Sequence, residues 1–148
     1  MEEEFYHRDI FGTIVDINLS AVEVADKPLL DKEGKEFNIF VLTDALGARK
    51  KKEAWILYQK ALSAGLSAEE IFFKLFWQVK SMLVAARTKN VGETDMKAFP
   101  YNKAKSFLKN FKSSELEKLS ENLVTGYTLA RRGEGEIETL IEKIILRL

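Results

Sequence analysis

The segment from Ser67 to Arg87, SAEEIFFKLFWQVKSMLVAAR, restricts the fold of this chain more than any other. Ile71, Phe72, Leu75, Phe76, Val79, Met82, Leu83 and Ala86 recur at helical spacing, and Phe73, Trp77 and Val84 widen their stripe. A helix that is apolar around most of its circumference belongs at the centre of a bundle or carries a second, intermolecular face. Its start is marked by Ser67 and Glu70 at capping-box spacing, where the serine oxygen takes a first-turn amide hydrogen and the glutamate reaches back. Phe72, Phe73, Phe76 and Trp77 lie within six positions and cannot all face one way. Packing by the N-terminal arm or by a partner would cover the remainder, and Phe72, Phe73, Phe76, Trp77 and Lys80 form the candidate partner interface.

Helical periodicity extends over 38–148. Asn38 is placed to cap a short helix through Leu46, with Gly47 expected as its left-handed terminator. A second helix is expected from about Ala48 to Ala64, ending before Gly65. Pro100 suits the first turn of a helix that points Ala104, Phe107, Leu108 and Phe111 inward and Lys103, Lys105 and Lys109 outward. Ser114 with Glu117, or Ser113 alone, is the expected cap of the next helix, along which Leu116, Leu119, Leu123, Tyr127 and Ala130 are spaced by three or four. After a turn at Gly133-Glu134-Gly135, a last helix aligns Ile137, Leu140, Ile141, Ile144, Ile145 and Leu148. The expected fold class is all-α, a bundle of five to six helices over 38–148.

Residues 1–37 differ: β-branched residues alternate loosely between Thr13 and Val24, and Pro28 and Gly34 punctuate a charged stretch. They read as an N-terminal arm, extended or a small hairpin. The net charge of zero conceals a division, because residues 1–38 hold ten acids and four bases. An acidic head thus precedes a basic body, and such halves can bind each other or face different partners. Cysteine is absent, which removes disulfides and thiolate chemistry and suggests a cytoplasmic setting. The acidic start lacks the pattern of a signal peptide, and no apolar run reaches the ~18 residues of a membrane span.

Catalytic patterns do not emerge. Neither G-x-x-x-x-G-K-[ST] nor G-x-G-x-x-G occurs, the single histidine, His7, cannot make a two-histidine metal site, and no nucleophile has a histidine base in a motif. The carboxylates Glu69, Glu70, Glu134, Glu136 and Glu138 sit at helix starts, where the macrodipole explains them. The sequence therefore predicts a chain without an enzymatic centre, cofactor or small-molecule substrate. The remaining chemistry is basic: Arg49, Lys50, Lys51 and Lys52, then Lys103, Lys105 and Lys109, are the candidate nucleic-acid contacts, although a solvated helix face has the same composition.

The order of several short motifs resembles the C-terminal helical domain of the delta subunit of the bacterial DNA polymerase III clamp loader. Phe40, Leu42, Thr43, Asp44 and Ala45 match its opening F-x-L-[TV]-D-A stretch, and Leu75, Gln78, Val79 and Lys80 its L-x-x-Q-[FV]-[RK] helix. Pro100, Tyr101 and Lys105 match a P-[FY]-x-x-x-K segment, and Arg131, Gly133, Ile141, Glu142, Leu146 and Leu148 its tail. Tyr127 stands where the family usually has an acid. The resemblance covers about 38–148 and implies a collar module, packed beside the loader's ATPase subunits without ATP hydrolysis of its own. The N-terminal 37 residues are too few for the family's preceding domains, so clamp opening is not part of the expectation.

Overall fold

The structure, a computed structural model, describes residues 37–148. Its regular elements are six α-helices: α1 (Ile39–Gly47), α2 (Lys51–Ser63), α3 (Ala68–Arg87), α4 (Ala98–Phe107), α5 (Ser113–Arg131) and α6 (Ile137–Leu146). Single 3₁₀ turns at Val91–Glu93 and Leu108–Asn110 join α3 to α4 and follow α4. The bundle expected over 38–148 is therefore present. The strand or hairpin expected between Thr13 and Val24 lies outside the described residues.

Helix α3 is the axis, in contact with each of the other five helices. Around its first half α1 touches α2, α2 touches α6 and α6 touches α5, so four helices close on it from several sides. Leu42 and Leu46 of α1, Tyr58 of α2, Ile71, Phe72, Phe76 and Val79 of α3, Leu123 and Tyr127 of α5, and Ile141 and Ile145 of α6 share this larger core. A smaller core surrounds the second half of α3, where Met82 and Ala85 meet Tyr101 and Ala104 of α4 and Leu116 of α5. Ala85 takes the buried place expected of Ala86, which is exposed.

The expected caps form at α1 and α3 but not at α5 or α2. Asn38 Oδ1 accepts from the Phe40 amide at 3.0 Å, and the Ser67–Glu70 box closes both ways at 3.2 and 2.9 Å. Helix α5, however, starts one residue before the expected caps: the Lys112 amide donates to Glu115 Oε1 at 3.1 Å, and Ser113 and Ser114 are already helical. Glu115 wins because the same carboxylate is also held by Arg49. Helix α2 likewise begins at Lys51 rather than Ala48, because 48–50 make the turn out of α1.

That turn corrects the role expected of Gly47. Gly47 is the last residue of α1, and the left-handed residue is Arg49, at φ 58°. Glycine is needed at 47 for space: a Cβ there would overlap the Phe107 ring and stand 2.8 Å from Gln78 Nε2. Gly126 is similar, with Leu140 Cδ1 2.5 Å from where a Cβ would sit, which lets α6 approach α5 closely. By contrast Gly133, at φ 79°, provides the left-handed turn between these helices. Gly47→Ala forces Phe107 and Gln78 to move and should cost about 1–3 kcal/mol, as overpacking does. Urea unfolding measures it, and an unchanged midpoint would show that the α1–α4 corner is loosely packed.

Candidate functional surfaces

The aromatic residues expected to meet a partner are mostly inside. Phe72, Phe73 and Phe76 are 1%, 3% and 2% exposed, whereas Trp77 retains 37%. They do point in different directions, spread over roughly 100° of the circumference. Neighbours on several sides nonetheless enclose all three. The Phe72 ring stacks on Tyr127 at 4.9 Å and meets Phe73 edge-on at 5.4 Å, and Phe73 lies 5.3 Å from Tyr127. The proposed interface of Phe72, Phe73, Phe76, Trp77 and Lys80 is corrected accordingly: the three phenylalanines are core residues, and only Trp77 and Lys80 reach the surface.

Tyr127 extends this core to a polar contact. Its hydroxyl donates to Glu69 Oε1 at 2.9 Å, joining α5 to the first turn of α3. Burial first, then the Glu69 carboxylate, push the phenol up to about 12. Tyr58 is also pushed up to about 12, by burial and then by the charges of Glu142 and Glu138. Its hydroxyl has no hydrogen-bond partner among the described residues.

The seven candidate nucleic-acid residues divide by what they touch. Arg49 spans two corners of the fold: Nη1 donates to the Asn110 carbonyl at 3.0 Å, Nη2 pairs with Glu115 at 2.6 Å, and the guanidinium lies 4.9 Å from the centre of the Phe111 ring. Asn110 returns the contact by donating from Nδ2 to the Gly47 carbonyl at 3.0 Å. The hydrogen bond from Arg49 is the first cause holding the Glu115 carboxyl below its ordinary value. Lys105 donates to the Ala85 and Thr88 carbonyls at 2.8 and 2.6 Å, a cation closing the C-terminal end of α3 where the macrodipole favours it. Lys103 pairs with Asp44 of α1 at 2.7 Å. These three are structural ties, which their positions in the sequence did not disclose.

Lys50, Lys51 and Lys52 remain together. With Lys60, Ile56 and Leu57 they line a shallow hollow of about 570 Å³ along α2, and Lys50 lies 3.6 Å from Glu53. Lys109 is exposed elsewhere, after α4. No cluster of histidines and carboxylates suited to a metal ion occurs among the described residues.

Sequence reasoning missed a different surface. Phe99 of α4 is 75% exposed and Phe40 of α1 58%, with Val41 beside it also exposed. A lysine ammonium stands over each exposed ring: Lys74 at 5.7 Å from the centre of Phe40, Lys80 at 5.5 Å from Trp77, and Lys103 at 5.5 Å from Phe99. Contacts near two of these rings tie α1 to both α3 and α4. Lys74, Trp77 and Lys80 follow each other at three-residue intervals on α3, and the Lys103–Asp44 pair joins the Phe99 end of α4 to α1 one turn beyond Phe40. Burial of Lys74 lowers its ammonium below the ordinary lysine value, opposed by Glu70. Nothing local in the sequence marked this surface, because the Lys103–Asp44 pair beside these rings spans 59 residues.

No helix among the described residues is long and apolar enough to cross a membrane. Compared with family models, with curated proteins and with solved structures, the chain matches none.

Removal of Arg49 and of Lys51 should separate the structural from the solvated bases. Arg49→Ala loses a carbonyl contact, an ion pair and a ring contact and should destabilise the fold by about 1–3 kcal/mol. Lys51→Ala should stay within about 0.5 kcal/mol of the parent. Equal unfolding midpoints for the two variants would show that the Arg49 contacts contribute nothing in solution.

Proposed function

We propose that this chain is a non-catalytic helical assembly module that works through protein–protein contacts, in the manner of the collar domain of clamp-loader delta subunits. The observation that carries the assembly reading is the exposure of Phe40 and Val41 on α1, Trp77 on α3 and Phe99 on α4. Large exposed aromatics suit an interface core, and lysines poised over their rings suit its polar rim. Support for the replication setting is the order of the short motifs along 38–148 and the all-α bundle that carries them. The partners in this reading are the ATPase subunits of the loader. In this reading the contact shifts from the buried phenylalanines of α3 to the exposed rings of α1, α3 and α4.

A second reading is a nucleic-acid contact at the α2 hollow, favoured by the convergence of Lys50, Lys51, Lys52 and Lys60. It has fewer cations than the sequence suggested, because Arg49, Lys103 and Lys105 already hold the fold.

Co-purification with clamp-loader ATPase subunits tests the first reading. The parent chain should associate, and the pair Phe40→Asp and Phe99→Asp should abolish association while leaving the unfolding midpoint within about 1 kcal/mol, as exposed substitutions do. Absence of association by the folded parent overturns the loader assignment. DNA binding that weakens steeply with salt and disappears in Lys51→Glu with Lys52→Glu would favour the second reading instead.

A further inference from the structure

We propose that the outward face of α2 receives an acidic amphipathic helix of a partner protein, one that sets an apolar side chain between two carboxylates at four-residue steps. This adds a face to the assembly reading without resting on it, because Phe40, Trp77 and Phe99 lie on other helices. It competes with nucleic acid for the same hollow.

The face follows from helix periodicity. Ala54, Tyr58 and Ala61 of α2 are buried, and Lys52, Ile56 and Lys60 are exposed on the opposite side of the same helix. Four-residue steps align these three in a ridge about 12 Å long. Lys51 and the half-buried Leu57 line the hollow beside it.

Charge selects the sign of the occupant. Lys50 lies 3.6 Å from Glu53, whereas Lys51, Lys52 and Lys60 form no ion pair among the described residues. The one acid of the hollow is thus matched by one lysine, and three exposed ammonium groups remain to meet a negative partner. Opposite charge on two surfaces steers and orients their encounter.

The middle of the ridge selects its class. Ile56 keeps 44% of its surface exposed midway between Lys52 and Lys60. A phosphate backbone gains nothing from an isoleucine at that place, and Glu53 among the lysines repels it. A protein helix gains from the whole ridge. Its leucine or phenylalanine covers Ile56 and Leu57 and leaves water, while carboxylates one turn before and one turn after it reach Lys52 and Lys60. Ridges of side chains four residues apart are what two packed helices offer each other, and an apolar centre within a charged rim is the anatomy of a protein interface.

The test is amide NMR of the full, isotope-labelled chain titrated with an alanine-based peptide of about 16 residues, long enough to hold a helix, that carries Glu, Leu and Glu at four-residue steps. Amides of Lys52, Ile56 and Lys60 should shift with a dissociation constant below about 1 mM. Lys52→Glu with Lys60→Glu should weaken binding by about tenfold or more and should accept instead the peptide with Lys in place of each Glu. These side chains are exposed, so the variant keeps its fold, which unchanged shifts in the rest of the chain verify. No shift at about 1 mM peptide, shifts centred on Phe40 and Phe99, or a reversed variant that refuses the lysine peptide overturns the proposal. So does equal binding of a peptide with Ala in place of Leu, since the apolar centre then has no part. A DNA duplex of about 12 base pairs that shifts the same amides at lower concentration than the peptide also overturns it, because nucleic acid is then the better occupant. Failure here leaves the assembly reading standing, and failed co-purification leaves the α2 face standing.

Discussion

The bundle depends on enclosing the first half of α3. Ile71, Phe72, Phe73, Leu75, Phe76 and Val79 leave no broad polar side there, so α1, α2, α5 and α6 must surround the helix. Each contributes an apolar stripe of ordinary width, and most of their stability comes from this packing rather than from propensity. The Phe72–Tyr127 stack and the Tyr127–Glu69 hydrogen bond then fix the angle at which α5 meets α3. Of the four aromatics on this stretch of α3, only Trp77 stays exposed.

The polar ties set the outer helices in place around that core. Arg49, Asn110 and Glu115 join the α1–α2 corner to the α4–α5 corner, and Lys105 joins α4 to the end of α3. Arg49 adopts a left-handed backbone, a conformation that costs a non-glycine residue of order 1–3 kcal/mol. A carbonyl, a carboxylate and a ring together offset that cost. Arg49, Lys103 and Lys105 are consumed in this way, which leaves Lys50, Lys51 and Lys52 at the α2 hollow and Lys109 apart from them.

Much of the fold was legible from the chain alone because helix periodicity and capping are local. The Ser67–Glu70 box, the Asn38 cap and the turn at Gly133 all follow from residues within four positions of each other. What stayed hidden was set across long separations. The need for glycine at 47 comes from Phe107, and the role of Arg49 from Asn110, each about 60 residues away. For the candidate site, the sequence revealed that four aromatics point apart but not that neighbours wait on every side of Phe72, Phe73 and Phe76. Phe40 entered the sequence reading only through the F-x-L-[TV]-D-A match and Phe99 not at all, yet both are exposed.

Paired truncations measure the division between interior and exterior aromatics most directly. Chemical unfolding of Phe76→Ala should show a loss of about 3–5 kcal/mol, as for a buried phenylalanine. Phe99→Ala should remain within about 0.5 kcal/mol of the parent. Comparable losses at the two positions, or a neutral Phe76→Ala, would contradict the placement of the α3 phenylalanines inside and of Phe99 outside.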